Sequence, residues 1–327
     1  MLISGHLLGS TYDTYGRHWQ RFVDYCASHG WPSLPATPSS VVCYLAHLSR
    51  TGTIQPQSTR SHLSAINKAH SDLGFAEPAS GSLVAAVRRG WQLRATAAGD
   101  QRDERVGLPA DVASRALDLF LRARSSTVLS RALLYTAFGF ALMARSDTDI
   151  HLQRGDVELT PTHIYVRLRR EKGRATTSVR RRLEIPRSAV PGLYDALVRW
   201  RALQAAAFAA AARTLEDSVS FWRLPADGNW ASSSATCDSW LQLACYALGA
   251  VPPEGQAWSS HSLRIGAASA ANAIDVNLLK IKDWGGWKLA SSAVMAYIRP
   301  TLASVAAVRF FGWMRLDPGF PVRPASR

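Results

Sequence analysis

The sequence predicts a mainly α-helical protein of two domains, the second of which contains a small antiparallel β-sheet. Apolar residues recur at three- and four-residue steps through most of the 327 residues, which is the period of amphipathic helices. Residues 156–187 change to an alternating pattern, which is typical of strands. Residues 95–106 are small or charged and have no period, so we expect them to link two domains.

The composition indicates a folded and strongly basic chain. Hydrophobic residues make up 47% and charged residues 19%, which excludes a disordered protein. The net charge of +14 favours a polyanionic partner, nucleic acid before a membrane, although a basic protein without such a partner is the alternative. The four cysteines form no CxxC pair, so we expect no zinc site, no disulfide framework and a reducing compartment. No apolar run approaches the length of a membrane span.

Residues 1–94 are expected to form a helical N-terminal domain. Helices are predicted over 11–29, 41–50, 57–73 and 82–94. Their basic side chains are expected to lie along DNA phosphates, although for any single one a solvated helix face is the simpler interpretation. The side chains proposed for this contact are Arg60, His62, Lys68, Arg88 and Arg89.

The second domain is expected over 107–327, with two strands in its first half. Ile164, Val166 and Leu168 alternate on one strand, and Leu183 and Ile185 on the other. The segment that connects the strands is rich in cations, so a hairpin set against nucleic acid is favoured over a merely solvated hairpin. Three of these cations enter the predicted site or DNA surface: Arg170, Lys172 and Arg174.

Further helices are predicted over 110–124, 127–145, 190–213, 233–249, 276–283 and 301–315. Arg145 closes the most apolar of them. A cation at that point is either an ordinary partner for the helix C-terminus or a functional residue, and its position leaves both interpretations open.

Residues 258–299 hold the side chains best suited to act on a phosphate. His261 and Arg264 are three residues apart, so on a helix they share a face. Arginine is a permanent cation whose planar fork of donors fits phosphate oxygens. A Gly-Gly pair places Trp287 on a turn, and Tyr297 follows on a predicted helix. Together these groups would form a site for nucleophilic attack on phosphorus.

The order Arg145, Lys172, His261-x-x-Arg264, Gly-Gly-Trp287, Tyr297 resembles that of the tyrosine recombinases, also called the lambda-integrase family. The segments WSSHSLRIGAA and GGWKLASSAVMAYIR are most similar to those of Cre-type recombinases and of DIRS- and crypton-type mobile-element recombinases. The resemblance covers nearly the whole chain. It implies a core-binding domain (1–94), a linker (95–106) and a catalytic domain (107–327) with a C-terminal docking helix.

The resemblance implies a site-specific DNA recombinase or integrase of a mobile element, which cuts and rejoins DNA through a 3′-phosphotyrosyl intermediate. Tyr297 would be the nucleophile and Lys172 the general acid. Arg145 and Arg264 would clamp the phosphate, His261 would be the general base, and Trp287 would orient the phosphate. No metal, ATP or other cofactor is expected.

The implied partner is double-stranded DNA, bound by a homodimer on the site and a tetramer in synapsis. No membrane contact is expected, and the protein would act inside the cell at DNA, in the nucleus of a eukaryote or the cytoplasm and nucleoid of a bacterium. The side chains expected to dock on a neighbouring protomer are Val305, Val308, Phe310 and Phe311. Packing of that helix on its own domain is the alternative.

Two departures from the family pattern keep other functions open. Trp287 and Tyr297 are ten residues apart, whereas the family usually has nine. Thr148, between Asp147 and Asp149, stands where the family usually has an acidic residue three after the first arginine. A DNA-binding relative with impaired catalysis is therefore the second hypothesis. A type IB topoisomerase is the third, against which the helical N-terminal domain argues.

Overall fold

The structure is a computed structural model that describes residues 9–98, 105–123, 128–143, 145–169, 181–190, 192–227 and 233–316. The chain divides into two compact units, Met1–Arg102 and Asp103–Arg327. The predicted fold class, mainly α with a small antiparallel sheet, is confirmed. Within the described ranges, no helix is long and apolar enough to cross a membrane.

The first unit contains four helices, α1 (Gly9–Ser28), α2 (Pro38–Thr51), α3 (Thr59–Ser71) and α4 (Ser82–Ala97). Each buries the apolar stripe that its period predicts, and Phe22, Leu45 and Ile66 are fully enclosed in the shared core. A capping box starts α2, because the Thr37 hydroxyl accepts a hydrogen bond from the backbone N–H of Ser40 and the Ser40 hydroxyl accepts one from Thr37.

The helices of the second unit are α5 (Ala110–Arg122), α6 (Val128–Leu142), α7 (Ser146–Ile150), α8 (Leu193–Ala210), α9 (Ser234–Ala247), α10 (Ser260–Ala273), α11 (Leu278–Gly285), α12 (Val305–Phe311) and α13 (Trp313–Leu316). The unit is built on α6, a mainly apolar helix in which residues 130–142 are all buried. It packs against α5, α9 and α10.

The sheet of the second unit has the antiparallel order β1 (Val157–Leu159), β2 (His163–Leu168), β3 (Arg181–Pro186). The two predicted strands are β2 and β3, paired so that Ile164 faces Ile185 and Leu168 faces Arg181. The alternating apolar residues point into the core. Strand β1 was not predicted, because three residues are too few to show an alternating pattern.

The helix predicted over 127–145 ends earlier, at Leu142. Met143 has a φ of +48°, a left-handed conformation that stops an α-helix. Arg145 therefore lies in extended backbone and forms the N-cap position of α7. Tyr297 also differs from the prediction, since it follows a 3₁₀-helix, Ser292–Ala296, instead of lying within an α-helix.

The last helices pack on their own unit, which corrects part of the docking prediction. Phe310 and Phe311 are each 1% exposed, and the Phe310 ring lies 5.2 Å from that of Phe140. Arg309 anchors the same helix by donating from Nη2 to Asp118 Oδ1 at 2.8 Å. Because both phenylalanines fill this core, they offer no free surface to a neighbour. Of the four predicted side chains, only Val305 and Val308 are exposed.

Candidate active site

Helix α10 carries His261 and Arg264 on its first turns. Its N-terminus is fixed by a capping box between Ser259 and Ser262, and by the backbone N–H of Ser260, which donates to Asp238 Oδ1 at 2.6 Å. The shared face that the i, i+3 spacing predicts is therefore formed by a well-capped helix. Arg264 points inward and is only 1% exposed.

The Arg264 guanidinium is held by one hydrogen bond and one aromatic face. Nη1 donates to the backbone carbonyl of Met143 at 2.5 Å, and the guanidinium carbon lies 3.6 Å from the centre of the Trp287 ring. Nε and Nη2 are buried and have no hydrogen-bond partner among the described residues, and the same is true of Trp287 Nε1. Unpartnered buried donors are costly, so these three atoms call for an acceptor that the described chain does not supply.

Both glycines before Trp287 are required by the turn that presents it. A Cβ on Gly285 would overlap the six-membered ring of Trp287. Gly286 has a φ of +70° and ends α11 in the left-handed conformation that glycine adopts without strain. The turn closes with a hydrogen bond from Trp287 N–H to the carbonyl of Lys282 at 2.8 Å.

Tyr297 lies against the same pair of side chains despite its ten-residue distance from Trp287. The two rings are 5.3 Å apart in an edge-to-face arrangement, and the Arg264 guanidinium lies 5.3 Å from the centre of the tyrosine ring. Ser269, on α10, donates from Oγ to the Tyr297 carbonyl at 3.2 Å. The backbone of Tyr297 is thus tied to the helix that carries His261 and Arg264.

Electrostatics link His261 to several arginines. Burial lowers the pKa of His261 below its ordinary value of 6.5, and the charges of Arg105, Arg264 and Arg145 lower it further, against a raising effect from Asp238. The imidazole is therefore neutral near pH 7 and able to accept a proton. The pKa of Arg264 is also lowered, to about 9, chiefly by burial and then by the charge of Arg145. The guanidinium is therefore still charged at neutral pH.

Asp149 supplies a buried carboxyl beside the site, one residue after Thr148. Burial raises the pKa of Asp149 well above its ordinary value, while the charge of Arg264 opposes that rise. Its Oδ1 is buried without a hydrogen-bond partner among the described residues, and its backbone carbonyl accepts from Trp222 Nε1 at 2.8 Å. Thr148 is itself 5% exposed. Among the described side chains, Asp149 therefore places a carboxyl near Arg264.

The predicted cations of the hairpin, Arg170, Lys172 and Arg174, lie outside the described residues. The general acid of the predicted mechanism therefore stays a prediction from the sequence. Strand β2 ends beside this segment, where Arg169 forms an ion pair with the buried carboxylate of Asp156.

The predicted DNA-binding side chains of the first unit differ in exposure. Arg60 and Arg89 are exposed and Arg88 is half-buried, whereas Lys68 forms an ion pair with Asp72 on its own helix turn.

His62 was wrongly placed on the exposed face. It is 1% exposed, its ring stacks at 3.8 Å on that of His18, and its Nδ1 lies 3.1 Å from the Tyr44 hydroxyl. Burial lowers the pKa of His62 to about 4, with smaller effects from His18 and Arg21. A neutral, enclosed imidazole cannot neutralise a phosphate, so His62 belongs to the core of the unit.

Sequence reasoning missed Arg105, which it assigned to the linker. The stretch that follows is tied to α10, because the Leu108 N–H donates to the Ser262 carbonyl at 2.8 Å and a Cβ on Gly266 would overlap the Leu108 backbone. From this stretch the charge of Arg105 acts on His261 and lowers its pKa. The one signal available was that glycines 107 and 266 both permit a close approach of two backbones.

In sequence, the chain is similar to the integrase/recombinase xerD homolog of Selenomonas ruminantium, with 29% identity over 167 residues. The match covers 50% of this chain and 47% of that protein, so the chain spans about half the length of the curated relative it matches. No protein-family model matches the chain.

In structure, the chain is similar to the Tn1549 transposon integrase in complex with transposon right-end DNA, with a TM-score of 0.61, 12% identity and 95% of each chain covered. A lambda integrase dimer bound to a COC′ core site gives a TM-score of 0.57 at 18% identity over 91% of each chain. The XerH site-specific recombinase bound to palindromic difH substrate gives 0.54 at 10% identity, over 80% of this chain and 68% of that one. At these identities the likeness establishes the fold. It does not bear on the Cre-type or DIRS-type resemblance, which stays a prediction.

Proposed function

Because the chain has the fold of the tyrosine recombinases, we propose that it is a site-specific DNA recombinase that breaks and rejoins DNA through a covalent bond to Tyr297. The curated relative is named an integrase/recombinase, and three structural neighbours of this fold were determined with DNA. Their names support DNA as the substrate of this chain.

One observation carries the proposal: within the described part of the chain, a buried arginine and a buried indole leave three donors without partners beside a tyrosine. A phosphodiester supplies the acceptor oxygens that Arg264 Nε, Arg264 Nη2 and Trp287 Nε1 lack. The same group would bring its phosphorus atom toward the Tyr297 ring. The positive charge of Arg145 lowers the pKa of Arg264 through mutual repulsion. A bound anion would offset that repulsion.

In the proposed reaction, the Tyr297 oxygen attacks the phosphorus atom and gives its proton to the neutral imidazole of His261. The bond from phosphorus to the 5′-oxygen breaks, and Lys172 would supply the proton which that oxygen takes up. Arg145 and Arg264 hold the negative charge that develops on the non-bridging oxygens. Trp287 can only donate through its indole N–H, so it orients the phosphate and takes no proton. The 3′-phosphotyrosyl bond keeps the energy needed for rejoining.

The proposal extends to the assembly and the biological setting. Exposed arginines of the first unit, such as Arg60 and Arg89, would contact DNA phosphates. A dimer would occupy one site and a tetramer would form during strand exchange, inside the cell at DNA. Recombination of a mobile element is the proposed role, since a neighbour in structure is a transposon integrase.

A trapping experiment tests the proposal. Nicked duplexes tiled across the DNA that flanks the gene are incubated with the protein and resolved on a denaturing gel. A nick near the scissile phosphate lets the short cleaved fragment leave, so the covalent intermediate accumulates. We expect an adduct with the natural chain and none with Tyr297→Phe, because phenylalanine has no oxygen to attack with.

The second candidate, a DNA-binding relative with impaired catalysis, is favoured by Thr148 in place of the usual acidic residue. It predicts salt-dependent binding to the same duplexes by both chains and an adduct with neither. An adduct that persists in Tyr297→Phe would contradict the assignment of the nucleophile.

A further inference from the structure

Arg181 connects the sheet of the second unit to the turn that presents Trp287. It is the first residue of β3, and its Nη1 donates to two backbone carbonyls, those of Asp283 at 2.7 Å and Trp284 at 2.5 Å. Both carbonyls belong to the last turn of α11, and the Asp283 carbonyl also accepts from the Gly286 N–H at 3.1 Å. A cation that donates to these carbonyls ties β3 to the helix end and matches the negative end of the helix dipole.

The end of α11 decides where the Trp287 indole lies. Gly285, the last residue of the helix, touches the indole so closely that a Cβ would overlap it. The Trp287 N–H is bonded to the Lys282 carbonyl, one residue before the two carbonyls that Arg181 holds. A shift of this helix end would therefore move the ring on which the Arg264 guanidinium stacks at 3.6 Å.

The charge of Arg181 also reaches the site. It is one of the charges that lower the pKa of Arg264, after burial and the charge of Arg145. The neighbouring Arg182 lies on the other face of β3, where its guanidinium stacks at 3.7 Å on the Tyr165 ring and pairs with Glu158 at 3.4 Å. Two adjacent arginines of one strand thus have different surroundings, which makes Arg182 a matched control.

We propose that Arg181 is a positioning residue for phosphate binding: it fixes the end of α11, and through Trp287 it sets the plane and position of the Arg264 guanidinium. The inference rests on the proposed recombinase function. It was not predicted from the sequence, where Arg181 is one of several arginines in a basic hairpin.

The test uses the full chain and the scissile phosphate that the trapping experiment maps. Single-turnover rates of adduct formation are measured at saturating protein for Arg181→Ala, Arg181→Lys and Arg182→Ala. We expect Arg181→Ala to slow the step by about 10- to 100-fold, the range for a small misplacement of reacting groups. Arg181→Lys should restore part of the rate, since one ammonium still reaches a carbonyl, and Arg182→Ala should match the natural chain.

A second substrate separates positioning of the phosphate from an effect on the leaving group. A bridging sulfur replaces the 5′-oxygen at the mapped phosphate, and a thiolate leaves without needing a proton because its pKa is low. The proposal predicts that Arg181→Ala stays slow with sulfur, whereas Lys172→Ala recovers. Hydrogen exchange should be faster over residues 283–289 in Arg181→Ala than in Arg182→Ala, with equal thermal stability.

Three results would overturn the inference while leaving the recombinase function intact. They are an Arg181→Ala rate equal to that of Arg182→Ala, recovery of Arg181→Ala on the sulfur substrate, and a loss of rate matched by a general loss of stability. Failure of the natural chain to form any adduct would instead overturn the proposed function, before the Arg181 variants are compared.

Discussion

At the residue scale, like charges are concentrated around His261. The charges of Arg105, Arg145 and Arg264 all lower its pKa, and among the described residues the charge of Asp238 raises it. Such a cluster of positive charges is unfavourable without an anion. It also keeps His261 neutral at pH values somewhat below its ordinary pKa of 6.5. A general base needs that neutral form, so the arginines would both bind the phosphate and keep the base unprotonated.

Replacement of Arg105 should move the pH dependence of adduct formation in a defined direction. Without its positive charge, the imidazolium of His261 is less disfavoured, and the pKa of His261 rises toward 6.5. His261 then protonates earlier as the pH falls. The acidic limb of the pH–rate profile of Arg105→Gln should therefore shift to higher pH.

The matched control is Arg122→Gln, an exposed arginine at the end of α5 that is not among the charges acting on His261. Its profile should coincide with that of the natural chain. An unmoved limb in Arg105→Gln, or one that moves to lower pH, would show that Arg105 does not act on His261 as the proposed general base.

At the element scale, the regular parts of the site follow from the sequence and the irregular parts do not. The spacing of His261 and Arg264 predicts one helix face, and the Gly-Gly pair predicts the turn before Trp287, as observed. The left-handed Met143 was not predictable, because methionine carries no preference for that conformation. Its carbonyl nevertheless fixes Arg264, so the helix break has a direct consequence for the site.

Contacts between distant segments were equally hidden from the sequence. The sequence assigns Arg105 to a linker and Arg181 to a basic hairpin, because the groups they act on lie far along the chain: His261 for the charge of Arg105 and the end of α11 for Arg181. His62 shows the opposite error. A polar residue was taken for an exposed one, whereas its partners His18 and Tyr44 enclose it.

Substitution of Gly285 tests the turn after α11. A Cβ would overlap the Trp287 ring, so Gly285→Ala should displace the indole and remove the surface under Arg264. We expect adduct formation to fall by about 100-fold, while DNA binding, which depends on many phosphate contacts, changes little.

The control for that variant is Gly16→Ala in α1, where an added Cβ has no heavy atom within 4 Å. It should leave the rate unchanged, and alanine favours the helix by roughly 0.5–1 kcal/mol over glycine. Equal rates for Gly285→Ala and the natural chain would mean that the position of Trp287 does not matter for the reaction.

At the scale of the whole molecule, the net charge of +14 indicates a large electrostatic contribution to binding. A plot of log affinity against log salt concentration has a negative slope, and its magnitude decreases by about 0.9 for each phosphate contact that is lost. Arg60→Ala should therefore reduce the slope by about 1, because Arg60 is exposed on the first unit.

His62→Gln, on the same helix, is the comparison for Arg60→Ala. His62 is enclosed and its pKa is lowered to about 4, so its replacement should leave the slope unchanged at neutral pH. Equal slopes for all three chains would show that Arg60 does not contact a DNA phosphate. A reduced slope in His62→Gln would contradict its burial.

The most direct measurement is the chemical identity of the residue that carries DNA in the trapped adduct. Nuclease and trypsin leave a nucleotide on a single peptide, and residues 289–309 form one tryptic fragment because Pro300 follows Arg299. That fragment contains one tyrosine, Tyr297. Mass spectrometry should find the nucleotide on this side chain, through a 3′-phosphate. A nucleotide on any other residue, or an adduct of the same yield from Tyr297→Phe, would contradict the account.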